Sequence, residues 1–297
     1  MIRSLFSGAS GMKNHQIRMD VIANNVANVN TYGFKAARCN FQDTLYQIMR
    51  APSSGPGGVN PSQVGLGVMV SSITTDTGQG ALQSTGRMLD VSVQGNGWFI
   101  LSIDRDPTKA VEGEGAPHER YTREGVFYID NCGWLVNSNG YYVCDVEGMP
   151  ICFTELEGGD EPALYAIDTI NIEKDGTISY TVLNKEGVYY ANGDETEGVP
   201  LGLAMFANQD GLRRDGQNLF RISPASGIAA ETGGTNRFGT PSEEGYGFLS
   251  AGYLEMSNVD LTDEFIFMIT TQRGYQANAR TVTTSDQILE ELLNIKR

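Results

Sequence analysis

The chain holds two histidines, His15 and His118, so any imidazole chemistry would have to use one of them. His15 lies in a helical pattern with no cysteine, aspartate or second histidine at ligand spacing, which reads as a surface or interface residue. His118 sits in Gly115-Ala116-Pro117-His118-Glu119, a loop composition. A Ser/His/Asp triad would also need a nucleophile on a sharp strand-to-helix turn. No G-x-S-x-G elbow occurs, and Gly8-Ala9-Ser10-Gly11 falls inside a helical repeat. Cys39, Cys132, Cys144 and Cys152 form no C-x-x-C pair, which argues against zinc and for free thiols, with a disulfide among the last three left open. Gly95-Asn96-Gly97 opens like a dinucleotide loop, yet Ile100 stands where a further glycine is needed, and no helix follows. Asp175-Gly176 and Asp194-Glu195-Thr196-Glu197-Gly198 lack the twelve-residue loop with a terminal glutamate that calcium uses, so they read as a hairpin and a solvated loop. Carboxylates are numerous enough for a glycosidase acid–base pair, but no spacing selects two of them. The expectation is a chain that is no enzyme and has no catalytic residue, cofactor or metal.

Charge points the same way. The formal net charge is −15 over 297 residues. Residues 1–85 carry six Lys/Arg against three Asp/Glu, residues 86–245 eleven against twenty-six, and residues 246–297 four against seven. An acidic middle repels phosphate backbones and reads as a solvated outer surface, so no nucleic-acid partner is expected. The start, Met1-Ile2-Arg3-Ser4-Leu5-Phe6-Ser7-Gly8, is interrupted by polar residues before an apolar run develops, so no cleavable signal is expected. No stretch approaches the ~20 apolar residues of a membrane span.

The elements divide sharply by position. At the N-terminus Ile2, Leu5, Ala9, Met12, Gln16, Met19, Ala23 and Val26 recur at spacings of three and four, a helical seam that closes at Asn24-Asn25 and Gly33. At the C-terminus Leu261, Phe265, Met268, Gln272, Tyr275, Ala279, Val282, Asp286, Leu289 and Leu293 continue one seam through ten positions. Ser257 with Asp260 fits a capping box, Asp263 and Glu264 suit the helix start, and Lys296 and Arg297 suit its end. A helix over about 258–295 would be roughly 55 Å long. Each seam needs cover, first from the other terminus, but Ile269, Ile288, Leu292 and Ile295 leave apolar surface that one pairing does not hide. The predicted helices are therefore marginal alone and completed by neighbouring copies. The assembly interface is expected at Leu5, Ala9, Met12, Met19, Ala23 and Val26 and, on the second helix, Leu261, Phe265, Met268, Tyr275, Ala279, Val282, Leu289 and Leu293.

Between the helices, Ala51-Pro52-Ser53-Ser54-Gly55-Pro56-Gly57-Gly58 excludes regular structure, and 63–73 reads as extended. From Asp90 short β-rich runs alternate with turns: Val91–Val93, Trp98–Ile103, Tyr121–Ile129, Trp134–Val136, Tyr141–Val146, Leu201–Phe206 and Leu219–Ile222. Lys174-Asp175-Gly176-Thr177 marks a hairpin between Ile170–Ile172 and Ile178–Val182. The predicted fold class is α+β: terminal helices pairing as a coiled-coil-like unit, glycine-rich extended linkers and a central all-β domain. The expected boundaries are an N-terminal core helix at 1–33, a linker at 34–87, the β domain at 88–224, a return linker at 225–256 and the C-terminal helix at 257–297.

The two ends also carry a resemblance. Met19-Asp20-Val21-Ile22-Ala23-Asn24-Asn25-Val26-Ala27-Asn28-Val29-Asn30-Thr31-Tyr32-Gly33-Phe34-Lys35 resembles the N-terminal motif of flagellar rod and hook proteins. Ser257-Asn258-Val259-Asp260-Leu261, Gln272-Arg273-Gly274-Tyr275-Gln276-Ala277-Asn278-Ala279 and Asp286-Gln287-Ile288-Leu289 resemble its C-terminal motif. Val64-Gly65-Leu66-Gly67-Val68 and Thr85-Gly86-Arg87-Met88-Leu89-Asp90-Val91 are most similar to hook members, as are Gly95-Asn96-Gly97-Trp98-Phe99 and Tyr121-Thr122-Arg123-Glu124-Gly125. The stretch Tyr46–Pro61 is also similar to the straight distal rod.

The resemblance implies a structural subunit exported unfolded through the flagellar type III channel, without a cleaved signal peptide. It would polymerise into an extracellular tube with paired helices inside and β domains outside. The favoured expectation is the bending hook that transmits motor torque, with the distal rod as alternative. A carbohydrate-active β-domain enzyme or a surface adhesin is the distant one. Implied partners are other copies, the neighbouring rod and hook–filament junction proteins, the export apparatus and a cap protein.

Overall fold

The computed structural model describes residues 2–52, 58, 60–104, 119–153, 166–183, 189–191, 200–227, 238–243 and 245–295. His118, the acidic loop 194–198, Lys296, Arg297 and positions 53–57 of the Pro/Gly stretch lie outside them. The terminal helices and the β-rich middle give the α+β class. Two compact units divide the chain: Met1–Val29 with Lys35–Asp76 and Val259–Arg297, and Asn30–Phe34 with Thr77–Asn258.

The first unit holds α1 (Ile2–Ala27), β1 (Ala37–Asp43), β2 (Tyr46–Arg50), β3 (Ser62–Gly65), β4 (Val68–Thr75) and α2 (Leu261–Ile295). Asp260 is the N-cap of α2, its Oδ1 accepting the Thr262 N–H at 2.8 Å and its carbonyl the Glu264 N–H at 3.0 Å. The expected capping box at Ser257 is thereby corrected, because the cap falls at the last residue before the helix. Asn24 and Asn25, read as a helix end, are helical, and α1 runs on to Ala27. Asn25 belongs inside because its side chain is used elsewhere: Nδ2 donates to the Ala37 carbonyl (2.8 Å) and Oδ1 accepts the Ala37 N–H (3.0 Å). One asparagine thus satisfies both backbone groups of the first residue of β1. β1 pairs antiparallel with β4 through a bulge at Asn40/Phe41, and β2 pairs with β3.

The second unit is built from β5 (Leu82–Ser84), β6 (Val91–Gln94), β7 (Trp98–Ser102), β8 (Glu119–Thr122), β9 (Phe127–Ile129), β10 (Leu135–Asn137) and β11 (Tyr142–Val143). β12 (Ala166–Ile172), β13 (Ile178–Leu183), β14 (Tyr189–Ala191), β15 (Leu203–Ala204), β16 (Arg213–Gly216), β17 (Leu219–Arg221), β18 (Phe248–Ala251) and β19 (Tyr253–Glu255) follow among the described residues. The main antiparallel sheet runs β16-β17-β8-β7-β11-β10-β9, with β15 also on β7. All five residues of β7 are buried, and the first four, Trp98 to Leu101, are continuously apolar rather than alternating. Phe99 and Leu101 enter one core with Phe127, Leu135 and Leu249, whereas Trp98 and Ile100 enter another with Tyr121, Phe206 and Phe220.

The expected single strand Tyr121–Ile129 is two, β8 and β9, because the chain leaves the sheet at Arg123-Glu124-Gly125 and the Gly125 carbonyl accepts the Val91 N–H. The Asp175-Gly176 hairpin forms as read. Gly176 takes φ +81°, and its N–H donates to the Glu173 carbonyl at 3.1 Å.

Candidate assembly surface

α1 and α2 lie antiparallel, and the pairs that meet keep one register. Ser4 Oγ lies 3.3 Å from Ser285 Oγ, a Cβ on Gly8 would fall 2.7 Å from Thr281 Oγ1, and one on Gly11 would fall 2.6 Å from Asn278 Nδ2. Gly274 would meet the His15 ring at 2.8 Å, and Asn25 Nδ2 donates to Glu264 Oε1 at 2.9 Å. Glycine and short polar residues therefore make the helix contact. Along α1 the buried residues are Gly8, Gly11, Asn14, Ile22 and Asn25, and on α2 they are Thr271 and Ser285.

The seams read from the sequence sit beside this line. Ala9 and Ala23 are exposed, and Leu5, Met12, Met19 and Val26 are half-buried. On α2, Leu261, Phe265, Tyr275 and Leu293 are exposed, and Met268, Ala279, Val282 and Leu289 are half-buried. The seam residue Val282 enters the contact, its Cγ2 lying 3.1 Å from where a Cβ on Gly8 would fall, and the glycine, serine, threonine and asparagine beside it let the backbones approach more closely than Leu against Leu allows. Other apolar side chains of the two helices are left exposed, among them Phe6 (64%), Phe265, Ile266, Ile269, Leu292 and Leu293 (70%). In β2 and β3 every residue is exposed, including Tyr46, Ile48, Met49 and Val64, although an isolated two-stranded ribbon is marginal in water.

His15 and Arg18 of α1 are half-buried. His15 packs edge-on to Phe41 at 5.5 Å, and its Nδ1 is buried without a protein partner. Burial, and then the nearby Arg18 charge, hold its pKa below the ordinary histidine value. The Arg18 guanidinium lies 5.6 Å from the ring centres of both Phe41 and Phe267.

Within the second unit, the charged residues of the sequence motifs are structural. Arg123 pairs with Glu255 at 3.4 Å with both side chains buried, and its Nη2 donates to the Gly95 carbonyl at 2.8 Å. Glu255 Oε1 accepts the Gly80 N–H at 2.9 Å, and the Glu255 carbonyl accepts the Gly33 N–H at 2.8 Å. Arg87 pairs with Asp90 at 3.1 Å and donates to the Phe127 carbonyl at 2.7 Å.

Burial raises the Glu124 and Asp145 carboxyls, the two that would best suit an acid, but each is engaged locally. Glu124 accepts from Asn218 Nδ2, and Asp145 Oδ1 accepts the Glu147 and Met149 amides in a tight turn. None of the four cysteines is in a disulfide, and burial pushes the Cys144 thiol up, away from thiolate chemistry. Among the described residues no three His, Cys, Asp or Glu gather as a metal site.

Known families match along most of the chain. Residues 5–35 match "Flagella basal body rod protein", residues 92–180 "Flagellar hook protein FlgE/F/G D1 domain", and residues 250–295 "Flagellar basal body rod FlgEFG protein C-terminal". The flagellar basal-body rod protein FlgG of Bacillus subtilis (strain 168) is 42% identical over 301 residues, covering 100% of both chains. The chain belongs to the flagellar rod and hook family.

The flagellar hook protein FlgE of Treponema pallidum (strain Nichols) is 30% identical over 482 aligned residues, and that of Borreliella burgdorferi (strain ATCC 35210 / DSM 4680 / CIP 102532 / B31) 31% over 456, each covering 100% of both chains. Those alignments are longer than this 297-residue chain and are bridged by gaps in it. The family assigns the chain a structural role in the flagellar axis. The glycines and asparagines of the helix contact, Gly8, Gly11, Asn25, Gly274 and Asn278, escape a hydrophobic reading of the sequence. For Asn25, Gly274 and Asn278, placement in the terminal motifs was the available signal, whereas Gly8 and Gly11 lie outside them.

Proposed function

We propose that this chain polymerises into the tubular rod of the bacterial flagellum, through the apolar faces that α1 and α2 leave open. The carrying observation is that the two helices leave large apolar side chains exposed. The helix pair satisfies itself through small polar residues, so Leu261, Phe265, Tyr275 and Leu293, with the flanking Leu5, Met12, Met19 and Val26, remain for other copies. Half-buried Met268, Ala279, Val282 and Leu289 and the small residues Ala9 and Ala23 would line the same contact. Burying each large side chain contributes about 1.5–3 kcal/mol, enough in sum to order a polymer.

The rod is favoured over the hook, which the sequence motifs favoured. End-to-end identity with a rod protein of nearly equal length supports it, and so does the exposed β2 that opens the Tyr46–Pro61 stretch similar to the distal rod. Neighbouring axial proteins at either end, a cap protein, and export without signal cleavage through the flagellar export apparatus complete the proposal. No catalytic step is part of it.

Electron microscopy of the concentrated full chain tests it. Straight tubes are expected, and their loss in Phe265→Ser with the β-rich circular dichroism signal intact. Curved tubes would return the assignment to the hook, and a protein that stays monomeric at every concentration would overturn the polymer reading.

A further inference from the structure

We infer that Asn96 is a site of spontaneous covalent modification, its side-chain amide being converted to aspartate and isoaspartate through attack by the backbone nitrogen of Gly97. In this step the Gly97 nitrogen gives its proton to hydroxide and bonds to the Asn96 Cγ. The Cγ–Nδ2 bond breaks, and Nδ2 takes a proton from water and leaves as ammonia. The succinimide ring so formed is then opened by one water molecule. Opening at one carbonyl gives aspartate. Opening at the other gives isoaspartate, in which the main chain runs through the former side-chain carbonyl. Overall, asparagine and water become the acid and ammonia, with no change of oxidation state.

The reaction needs a following residue without a side chain, a main-chain nitrogen not held by an acceptor, and an accessible amide. Three asparagines precede glycine: Asn96, Asn139 and Asn192, the last outside the described residues. The other two are held differently. Between β10 and β11 the Gly140 N–H donates to the Asn137 carbonyl at 3.0 Å, and the Asn139 N–H donates to Asn137 Oδ1 at 3.0 Å. Attack by the Gly140 nitrogen would have to break that turn. Asn96, between β6 and β7, is exposed, and neither its side chain nor the Gly97 N–H makes a hydrogen bond among the described residues. It borders a cavity of about 480 Å³, also lined by Thr77, Gln79 and Asn208, which gives water room at the amide. The fold also keeps the reactive pair in place. Gly97 has φ +137° and is buried, with Leu203 Cδ1 3.1 Å from where a Cβ would stand, so no larger residue fits there without strain.

The two products differ in consequence. The Asn96 carbonyl accepts the Gly247 N–H at 2.7 Å, the Gly95 carbonyl accepts from Arg123 Nη2 at 2.8 Å, and the Gly95 N–H donates to Gln79 Oε1 at 3.2 Å. Isoaspartate inserts an extra main-chain carbon between these anchors and Trp98, the first residue of β7, whose side chains enter both cores. Aspartate changes only an exposed side chain. The isoaspartyl form is therefore the one that loosens the turn, because a displaced β7 no longer fits two close-packed cores.

The test ages the full-length wild type at neutral and mildly alkaline pH, folded and in concentrated urea, and follows each Asn-Gly pair by peptide mass spectrometry. In the folded chain Asn96 is expected to convert several-fold faster than Asn139, and faster as pH rises, because the attacking nitrogen must lose its proton. In urea the two should convert at comparable rates, since the difference lies in the fold. Aged wild type should melt at a lower temperature than fresh protein. Asn96→Gln, whose longer side chain closes the larger ring far more slowly, should hold its melting temperature through the same treatment. Equal conversion of Asn96 and Asn139 in the folded chain overturns the assignment, and so does a preference for Asn96 that persists unchanged in urea. Aged Asn96→Gln that loses as much stability as the wild type overturns the effect on the turn.

Discussion

Gly11 of α1 faces Asn278 of α2 so closely that a Cβ there would lie 2.6 Å from Nδ2 and 2.9 Å from Cγ of the amide. In an ordinary exposed helix, replacing glycine by alanine gains about 0.5–1 kcal/mol. Here the sign reverses, because the whole Asn278 amide must move. Gly11→Ala is expected to destabilise the helix pair by about 1–3 kcal/mol, the usual range for overpacking. Thermal unfolding followed by the helical circular dichroism signal measures it, and the Gly11→Ala/Asn278→Ala pair should recover part of the loss.

Gly33 tests the second unit. It has φ +67°, and an added Cβ would meet the Arg123 carbonyl carbon and the Glu124 nitrogen, each at 2.7 Å. Those are backbone atoms, which cannot rotate aside. Gly33→Ala should cost at least the roughly 1–3 kcal/mol of a left-handed non-glycine residue, read as a lower urea midpoint with unchanged slope.

The buried pair Arg123–Glu255 makes a third test. Arg123→Met strands a carboxylate with almost no exposure and should cost about 3–5 kcal/mol. Adding Glu255→Gln, which keeps an acceptor for the Gly80 N–H, should restore part of that stability. If the double variant were less stable than Arg123→Met in urea, the pair would not be the source of the cost.

His15 sets a pH dependence. Its folded pKa lies below 6.5, so the unfolded chain takes up the proton first, and stability falls as pH drops through the unfolded value towards the folded one. Glu124 and Asp145, with raised pKa values, act in the opposite direction, because the folded chain binds their protons more readily. Subtracting the profile of His15→Gln from that of the wild type isolates the histidine. The difference in melting temperature should shrink as pH falls below about 6.5, and a difference that stays constant would remove the imidazole from the cause.

Sequence alone fixed the two terminal helices, the β-rich middle and the Asp175-Gly176 turn, because each follows from local rules: apolar spacing, alternation and the left-handed freedom of glycine. It also marked Leu261, Phe265, Tyr275 and Leu293, which the structure leaves exposed. It was silent on the small residues of the helix contact, since helix periodicity gives an apolar face no partner and gives glycine and asparagine no weight. The tertiary structure decided that Gly8, Gly11 and Gly274 meet Thr281, Asn278 and His15, that Asn25 stays helical to hold Ala37, and that three arginines from different strands share Asp215. Each of these depends on close approach between residues far apart in the chain, where the space left by a missing side chain, or the register of a neighbouring strand, sets the outcome.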